Sequence, residues 1–329
     1  MQIRQLGRSG PAISALGLGC MGFSGGYGPV DDAESIATIQ SALDAGIRYL
    51  DTGDFYGAGQ NEMLLREALK GRRDQAFVAV KFGALRAPDG AWLGSDNRPA
   101  AMKNFLAYTL RRLGTDRVDL YQPARVDPAV PIEDTVGAIA DMVQAGFVRH
   151  IGLSEASAAT IRRAHATHPI VALQIEYSLM SRSVEKAILP ALRELGIALV
   201  AYGVLSRGLI ADHTRAGATK PGEIRGRMPR FQGENFAKNL ALVEALGTIA
   251  AGKGCSIAQL AIAWVASRGD DVIPLIGAKR RDQLRDAIGA LDVKLSPADI
   301  ARIENAMPAD AVAGDRYGAA LMTHLDSES

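Results

Sequence analysis

Short apolar runs alternate with amphipathic segments along most of the chain. The apolar runs have the length of strands; three end at Cys20, Asp51 and Lys81, and five span residues 118–122, 150–153, 171–175, 198–202 and 272–276. Apolar positions at helical spacing predict helices over residues 32–45, 61–70, 99–113, 132–145, 157–166, 184–195, 234–253, 257–267 and 281–290. This alternation predicts an α/β fold, a closed (β/α)8 TIM barrel rather than an open sheet.

Several stretches lie outside the repeat. Residues 2–6 and 13–16 predict an N-terminal β-hairpin, and residues 296–307 predict an extra C-terminal helix capped by Ser296. Residues 205–235 have little periodicity, which predicts a lid or a binding segment. Because no break in composition divides the chain, we predict one domain over residues 1–329, with a core of about 16–308 and a weakly patterned tail of 309–329.

Composition excludes some classes of function. The 329 residues are 48% hydrophobic and 22% charged, and 37 basic residues against 36 acidic ones give a net charge of +1. This balance does not attract nucleic acid or an anionic membrane, and no run reaches the length of a membrane span. The N-terminal residues lack the apolar core of a signal peptide, so we expect a cytoplasmic protein. We predict neither a disulfide between Cys20 and Cys255 nor a metal site.

Three reactive side chains lie at or after the ends of two consecutive predicted strands. Asp51 ends one strand, Lys81 ends the next, and Tyr56 lies on the loop between them. Ligands of parallel α/β folds lie at such strand ends. A buried ammonium favours the phenolate of Tyr56, and Asp51 keeps Lys81 charged, which is typical of a proton relay poised nearer neutral pH. A salt bridge at the barrel end beside a loop tyrosine explains the spacing equally well.

The motif around these residues resembles that of a known family. D-T-G-D-F-Y-G-x-G-x-N-E, residues 51–62, with V-K-F at 80–82, resembles the aldo-keto reductase family, and the resemblance runs from Leu16 to about Pro308. That family folds as a (β/α)8 barrel and uses NADPH. The resemblance implies that Tyr56 is the general acid, that Lys81 is its pKa partner and that Asp51 holds Lys81.

The resemblance also implies a site for NADP(H). Ser154 and Gln174 are expected to contact the nicotinamide carboxamide and Tyr202 to stack on its ring, whereas Glu155 replaces an Asn common in the family. The segment I-P-L-I-G-A-K-R-R-D-Q-L, residues 273–284, resembles the family's site for the adenosine 2′-phosphate, and basic side chains beside a helix N-terminus suit a dianion. G-L-G-C-M-G, residues 17–22, has no helix directly after it, so we interpret it as a strand running into a loop near the ligand. The remaining expected contacts are Gly19, Cys20, Met21, Asp51, Gly203, Leu205, Arg207, Gly277, Lys279, Arg280 and Gln283.

One position departs from the family pattern. The family places a carbonyl-orienting histidine five residues after the Asp of D-L-Y, and here that residue is Ala124. Strand alternation directs Ala124 and Gln122 toward the barrel mouth. Water or Gln122 then replaces the imidazole, or the extra volume admits a bulky ketone carried on a ring. Beside Tyr56, the candidate apolar walls of the substrate pocket are Phe23, Phe55 and Trp92.

These expectations favour NADPH-dependent reduction of aldehydes or ketones by direct hydride transfer to a small-molecule substrate, such as a bulky secondary ketone. Two alternatives stay open. The missing histidine favours a regulatory subunit that senses the NADP redox ratio with little turnover, as potassium-channel β subunits of the family do. The other alternative is an alcohol dehydrogenase that works mainly in the oxidative direction.

Overall fold

The structure is a computed structural model that describes residues 1–211 and 224–328. Residues 212–223 of the predicted lid segment, and Ser329 at the end of the tail, lie outside the described residues. The described strands are β1 (Ile3–Gln5), β2 (Ala12–Ser14), β3 (Gly17–Gly19), β4 (Tyr49–Gly53), β5 (Phe77–Phe82), β6 (Ala84–Arg86), β7 (Trp92–Ser95), β8 (Val118–Pro123), β9 (Val148–Ser154), β10 (Ile170–Glu176), β11 (Ala198–Tyr202) and β12 (Val272–Gly277). The described helices are α1 (Asp32–Asp44), α2 (Gln60–Ala68), α3 (Pro99–Leu113), α4 (Ile132–Gln144), α5 (Ala158–Thr167), α6 (Ile188–Leu195), α7 (Gly233–Gly252), α8 (Ile257–Ala266), α9 (Arg281–Gly289), α10 (Pro297–Ala306) and α11 (Ala319–Met322).

Eight parallel strands close into a barrel, which confirms the predicted fold class. Around the barrel they follow the order β3, β4, β5, β8, β9, β10, β11 and β12. Pairing of β12 with β3, with Gly277 opposite Gly19, closes the ring. Every residue of β5 and of β10 is buried, because side chains fill the barrel on one side and helices cover the other. This double burial explains why the strands read as continuous apolar runs.

The N-terminal hairpin closes one end of the barrel. β1 and β2 pair antiparallel, and Leu6 and Ile13 join Tyr49 and Phe77 in the core inside the barrel. The backbone N–H of Arg8 donates to the carbonyl oxygen of Gly196, just before β11, at 2.7 Å. A larger core fills the layer between the barrel and the helices. The opposite end, where the strands have their carboxyl termini, is therefore the end available to ligands.

Some elements differ from the predictions. The stretch after β5, which has no readable pattern, contains the antiparallel hairpin of β6 and β7; its strands of three and four residues are too short to show alternation. The predicted helix over residues 184–195 is divided into a 3-10 turn, Ser183–Glu185, and α6. Pro190 lies in the first turn of α6, where the missing N–H is tolerated. The tail contains the short helix α11, which no pattern predicted.

The long helix α7 and its neighbour α8 belong to the layer outside the barrel. Leu246 and Trp264 are fully buried in the larger core. No single helix in the described residues is long and apolar enough to cross a membrane, although α7 and α8, bent by 88°, have the length and composition together.

Candidate active site

A closed network of Asp51, Lys81 and Gln174 lies at the carboxyl ends of β4, β5 and β10. The Lys81 ammonium forms an ion pair with Asp51 Oδ1 and donates to Gln174 Oε1 at 3.0 Å. Gln174 Nε2 in turn donates to Asp51 Oδ2 at 2.6 Å. Asp51 is 2% and Lys81 is 4% exposed; burial lowers the pKa of Lys81 and the charge of Asp51 opposes that effect. The carboxylate and the amide together fix the position of Nζ.

Tyr56 lies directly above this network. Lys81 Nζ is 5.3 Å from the centroid of the Tyr56 ring, and the ring packs edge-on against Phe55 with 4.8 Å between centroids. Burial raises the pKa of Tyr56 well above its ordinary value, Asp51 raises it further and Arg125 lowers it. This direction is opposite to the predicted downward shift, because burial has the largest effect and the charge of Asp51 adds to it. At neutral pH the phenol is protonated, which is the state that a general acid requires.

A strained turn holds Tyr56 in place. Ala58 has a φ of 52° and Gly59 a φ of 93°, so the chain passes through left-handed backbone between Tyr56 and α2. Asn61, in the first turn of α2, accepts from the Thr52 hydroxyl at 2.7 Å and donates to the carbonyl oxygen of Cys20 at 2.8 Å. The amide of Asn61 thus ties the Tyr56 turn to β4 and to the loop after β3.

Unpartnered buried polar atoms lie beside this group. The hydroxyl of Ser154, at the end of β9, is buried without a hydrogen-bond partner in the described residues, and the same holds for both amide atoms of Gln122 on β8. Buried polar atoms are usually satisfied, so unpartnered ones indicate a place for a polar ligand group. A carboxamide offers both donors and acceptors, so it fits these residues. Gln174 was predicted to contact that carboxamide, but its own amide is engaged by Asp51 and Lys81.

The predicted phosphate segment is gathered at the N-terminus of α9. Lys279 donates from its backbone N–H to Gln283 Oε1 at 2.9 Å and from Nζ to the carbonyl oxygen of Tyr27 at 2.7 Å. Arg280 is exposed and pairs with Asp282 at 2.9 Å. The Gln283 side chain, the two cations Lys279 and Arg280, and the N-terminus of α9 together suit a phosphate dianion. Gly277, which precedes this segment, is exposed, and a Cβ there would meet open space.

The loop after β11 contains a second strained segment. Ser206 has a φ of 46° and Arg207 a φ of 59°, and Gly203 precedes them with a φ of 68°. Arg207 pairs with the buried Glu176 at 3.0 Å. Positive φ at residues other than glycine costs energy and often marks a binding segment. Leu205 is half-buried against the larger core.

The loop after β3 turns most of its apolar side chains inward. Cys20 is fully buried and Phe23 is 1% exposed, both in the larger core. The 3-10 turn Cys20–Ser24 causes this inward rotation, and the placement argues against Phe23 as a wall of the substrate pocket. Met21 is half-buried. The loop passes close to Lys279, since a Cβ on Gly22 would lie 3.2 Å from Lys279 Cγ.

The other predicted substrate residues lie around the mouth. Trp92 on β7 packs against His324 of the tail in a tilted arrangement, with 5.9 Å between ring centroids. Ala124, directly after β8, is 2% exposed, and its N–H donates to the carbonyl oxygen of Phe82 at 2.8 Å. One end of the closed barrel therefore contains a protonated phenol, a buried ammonium held by a carboxylate, and the buried polar atoms of Ser154 and Gln122.

Comparison with known proteins agrees with this geometry. The model of the Aldo/keto reductase family matches residues 15–307. The chain belongs to the aldo-keto reductase family. Over 317 residues it is 44% identical to Probable aldo-keto reductase 1 of Glycine max, covering 95% of this chain and 91% of that relative. The family assigns this aldo-keto reductase to the oxidoreductases that act on carbonyl compounds.

Solved structures with the same fold include three other aldo-keto reductases. The glycerol dehydrogenase AKR11B4 from Gluconobacter oxydans has a TM-score of 0.84 at 27% identity, covering 99% of this chain and 96% of that one. AKR11C1 from Bacillus halodurans, in its holo form, has a TM-score of 0.79 at 29% identity over 94% and 97%. The thermostable Tm1743, in complex with the inhibitor epalrestat, has a TM-score of 0.75 at 29% identity over 93% and 100%.

Glu155 anchors the C-terminal tail of this aldo-keto reductase. Its carboxylate is fully buried and accepts from both terminal nitrogens of Arg316, at 3.0 and 2.6 Å. It also accepts from the Ser327 hydroxyl at 2.6 Å and from the Tyr202 hydroxyl at 2.7 Å. These cationic and hydroxyl partners hold the pKa of Glu155 at about 2, against an opposing effect of burial. Glu155, which stands where the family commonly has Asn, therefore binds residues of the tail.

The tail also places a tyrosine beside Tyr202. The Tyr317 hydroxyl lies 3.0 Å from that of Tyr202, and the guanidinium groups of Arg207, Arg316 and Arg125 lie 4.6, 5.9 and 6.0 Å from the Tyr317 ring centroid. Sequence reasoning missed Arg316 and Tyr317, because the tail has no periodic pattern. It also passed over Arg125, although that residue directly follows the departure at Ala124.

Proposed function

We propose that this aldo-keto reductase is an NADPH-dependent reductase of aldehydes and ketones in which Tyr56 donates the proton. The observation that carries the proposal is the buried network of Asp51, Lys81 and Gln174 beneath the Tyr56 ring. NADPH, when bound, supplies a hydride for the carbonyl carbon. The raised pKa of Tyr56 keeps its proton available for the developing alkoxide. The cations Lys81 and Arg125 favour the phenolate that remains.

The chain's own residues support NADPH as the cofactor. Ser154 and Gln122 have buried polar atoms free to hold a carboxamide, and Tyr202 ends the strand next to β10. Lys279 and Arg280, at the N-terminus of α9, would bind a 2′-phosphate that NADH lacks. Replacing both with Ala should weaken NADPH binding far more than NADH binding. Parallel losses for the two cofactors would contradict the assignment of the phosphate site.

A second candidate is oxidation of an alcohol with NADP+, because one structural relative is a glycerol dehydrogenase. In that direction Tyr56 would have to accept a proton. The raised pKa of Tyr56 keeps the phenol protonated, which is the form that proton donation in reduction requires, so reduction is the first candidate. Comparing initial rates for the two directions at pH 7 with one aldehyde and its alcohol distinguishes the two candidates.

The main test is the rate of NADPH oxidation with 4-nitrobenzaldehyde. Removing the proton donor by Tyr56→Phe should lower kcat by about a hundredfold or more. Tyr108→Phe is the matched control, because Tyr108 is 57% exposed on α3. Retention of most of the turnover by Tyr56→Phe would show that the proton comes from elsewhere. Tight cofactor binding without turnover of any carbonyl compound would instead favour a redox-sensing subunit.

A further inference from the structure

Among the described residues, two arginines at the mouth, Arg125 and Arg86, have no carboxylate partner. Most cations there are paired: Arg207 with Glu176 at 3.0 Å and Arg316 with Glu155 at 2.6 Å. Arg125, by contrast, donates to the carbonyl oxygen of Ala124 at 2.6 Å and more distantly to the Tyr317 hydroxyl at 3.4 Å. Neither Arg125 nor Arg86 forms an ion pair within the described residues.

Arg125 lies beside the catalytic group. It follows Ala124, whose N–H donates to the carbonyl oxygen of Phe82, the residue after Lys81. Arg125 therefore follows β8 at the point where β8 meets the end of β5, and its charge lowers the pKa of Tyr56. On the other side, Arg125 contacts Tyr317, which contacts Tyr202. The unpaired cation therefore lies between the proposed proton donor and the residue predicted to stack on the nicotinamide.

Arg86 adds a second cation at the rim. It lies on β6, is exposed, and its guanidinium is 5.1 Å from the centroid of the Trp92 ring. Partial burial of its guanidinium lowers the pKa of Arg86, and the charge of Arg125 lowers it further. The Trp92 ring and the Arg86 guanidinium thus place an apolar and a cationic group side by side at the rim.

A neutral substrate would leave Arg125 without a carboxylate or phosphate to accept its hydrogen bonds among the described residues. The Glu155 and Glu176 carboxylates are already bound by Arg316 and Arg207, so neither is available to Arg125. A half-buried guanidinium binds a carboxylate or a phosphate through charge-assisted hydrogen bonds, frequently bidentate. A substrate anion beyond the reacting carbonyl would supply the missing partner.

We propose that Arg125, with Arg86 at the rim, binds an anionic group of the substrate, so that the preferred substrates are carbonyl compounds carrying a carboxylate or a phosphate. This inference rests on the proposed function, and it names the substrate class of the same site. It adds an anionic group to the substrate expected from the sequence, a carbonyl compound such as a bulky secondary ketone.

The test compares 4-carboxybenzaldehyde with its methyl ester, which has the same reacting aldehyde without the charge. The parent should prefer the acid in kcat/KM by about tenfold or more, the effect of one charge-assisted contact. Arg125→Met should lower kcat/KM about tenfold more for the acid than for the ester and so abolish this preference, and Arg125→Lys should restore part of it. A loss shared by both substrates would report the effect of Arg125 on Tyr56. Arg302→Met, an exposed arginine on α10, should change neither. Comparing kcat/KM for glyceraldehyde 3-phosphate with that for glyceraldehyde determines whether the site also accepts a phosphate.

The possible outcomes are distinguishable. Equal kcat/KM for acid and ester in the parent would overturn the inference while leaving the reductase function intact. An equal loss on both substrates in Arg125→Met would also overturn it, since Arg125 would then act only on Tyr56 or on the carbonyl oxygen. Binding of benzoate and benzamide to the NADPH-loaded protein, followed by tryptophan fluorescence, needs no turnover. Benzoate should bind Arg125→Met about tenfold more weakly than the parent, with benzamide unchanged; equal benzoate affinities would refute the anion site.

Discussion

Replacing Arg316 with Met should release the C-terminal tail from the barrel mouth. Arg316 is 6% exposed, and the Glu155 carboxylate that it binds is fully buried. Met has a similar length and no charge, so the substitution leaves a carboxylate buried without its cation. The Tyr202 and Ser327 hydroxyls remain as donors to Glu155, but neither carries a charge. The tail can relieve this by detaching, which lets water reach Glu155.

The size of the effect follows from the ion pair. A fall in the pKa of Glu155 from 4.5 to about 2 corresponds to about 3 kcal/mol in favour of the ionised form in the folded protein. Breaking a buried pair by removing one partner costs about 3–5 kcal/mol. Since 1.4 kcal/mol is a factor of ten, about 3 kcal/mol raises the detached fraction of the tail roughly a hundredfold.

Hydrogen exchange measures this detachment directly. The backbone N–H of Ser327 donates to the carbonyl oxygen of Glu155 at 3.1 Å, and that of Ser157 donates to the Asp326 carboxylate at 2.7 Å. Both amides should exchange about a hundredfold faster in Arg316→Met. The matched control is Arg162→Met, which breaks an equally bidentate pair with Glu194, at 2.7 and 2.6 Å.

The control pair is exposed, so its loss should cost only about 0–1 kcal/mol. Exchange at Ser327 should therefore be the same in Arg162→Met as in the parent. Unchanged exchange at Ser327 in Arg316→Met as well would refute the reasoning, because the ion pair would then contribute nothing to holding the tail.

Three further predictions concern the mouth and the turn that holds Tyr56. Because the pKa of Glu155 is lowered, its stabilising effect is present above pH 4.5 and is lost as the pH falls toward 2; the difference in unfolding free energy between parent and Glu155→Gln, followed by urea titration, should shrink over that range. Ala124→His should change carbonyl turnover by more than about tenfold, and equal rates would mean that another group already orients the oxygen. Gly59→Ala forces a φ of 93° on alanine and places its Cβ 2.6 Å from Arg112 Cδ, so thermal unfolding should show a loss of about 1–3 kcal/mol together with lower kcat. Gly71→Ala, also at positive φ but with no atom within 4 Å, should lose less.

The barrel could be predicted from the sequence because each of its elements has a local pattern. The predicted span of α3 matches the structure at both ends, where Pro99 starts the helix and Gly114 ends it in left-handed backbone. The hairpin of β6 and β7 could not be predicted, because its strands are too short to show an alternation of apolar and polar residues. Helix α6 starts late for a different reason, since Ala187 has a non-helical φ of −132° and interrupts the predicted helix.

The site was only partly readable, for a physical reason. Asp51, Tyr56 and Lys81 lie close together in the chain, so strand register brings them together, with Gly53 opposite Lys81. The sign of the Tyr56 pKa shift depends on burial and on the charges around the phenol. Neither can be deduced from the spacing of residues along the chain. The Glu155 and Arg316 pair joins residues 161 positions apart, and no periodic signal spans such a distance.

Glu155, which stands where the family commonly has Asn, is paired with the positive charge of Arg316 in the tail. A carboxylate buried in a barrel end is unfavourable without a cation, whereas the neutral amide of an Asn needs none. Arg316 supplies that cation and, in doing so, brings Tyr317 against Tyr202. Through Arg316, the Glu155 carboxylate therefore determines that Tyr317 is the tail residue that contacts Tyr202. Because the Glu155 carboxylate is bound by Arg316, it forms no hydrogen bond with Arg125, which has no carboxylate partner among the described residues and for which we propose a substrate anion.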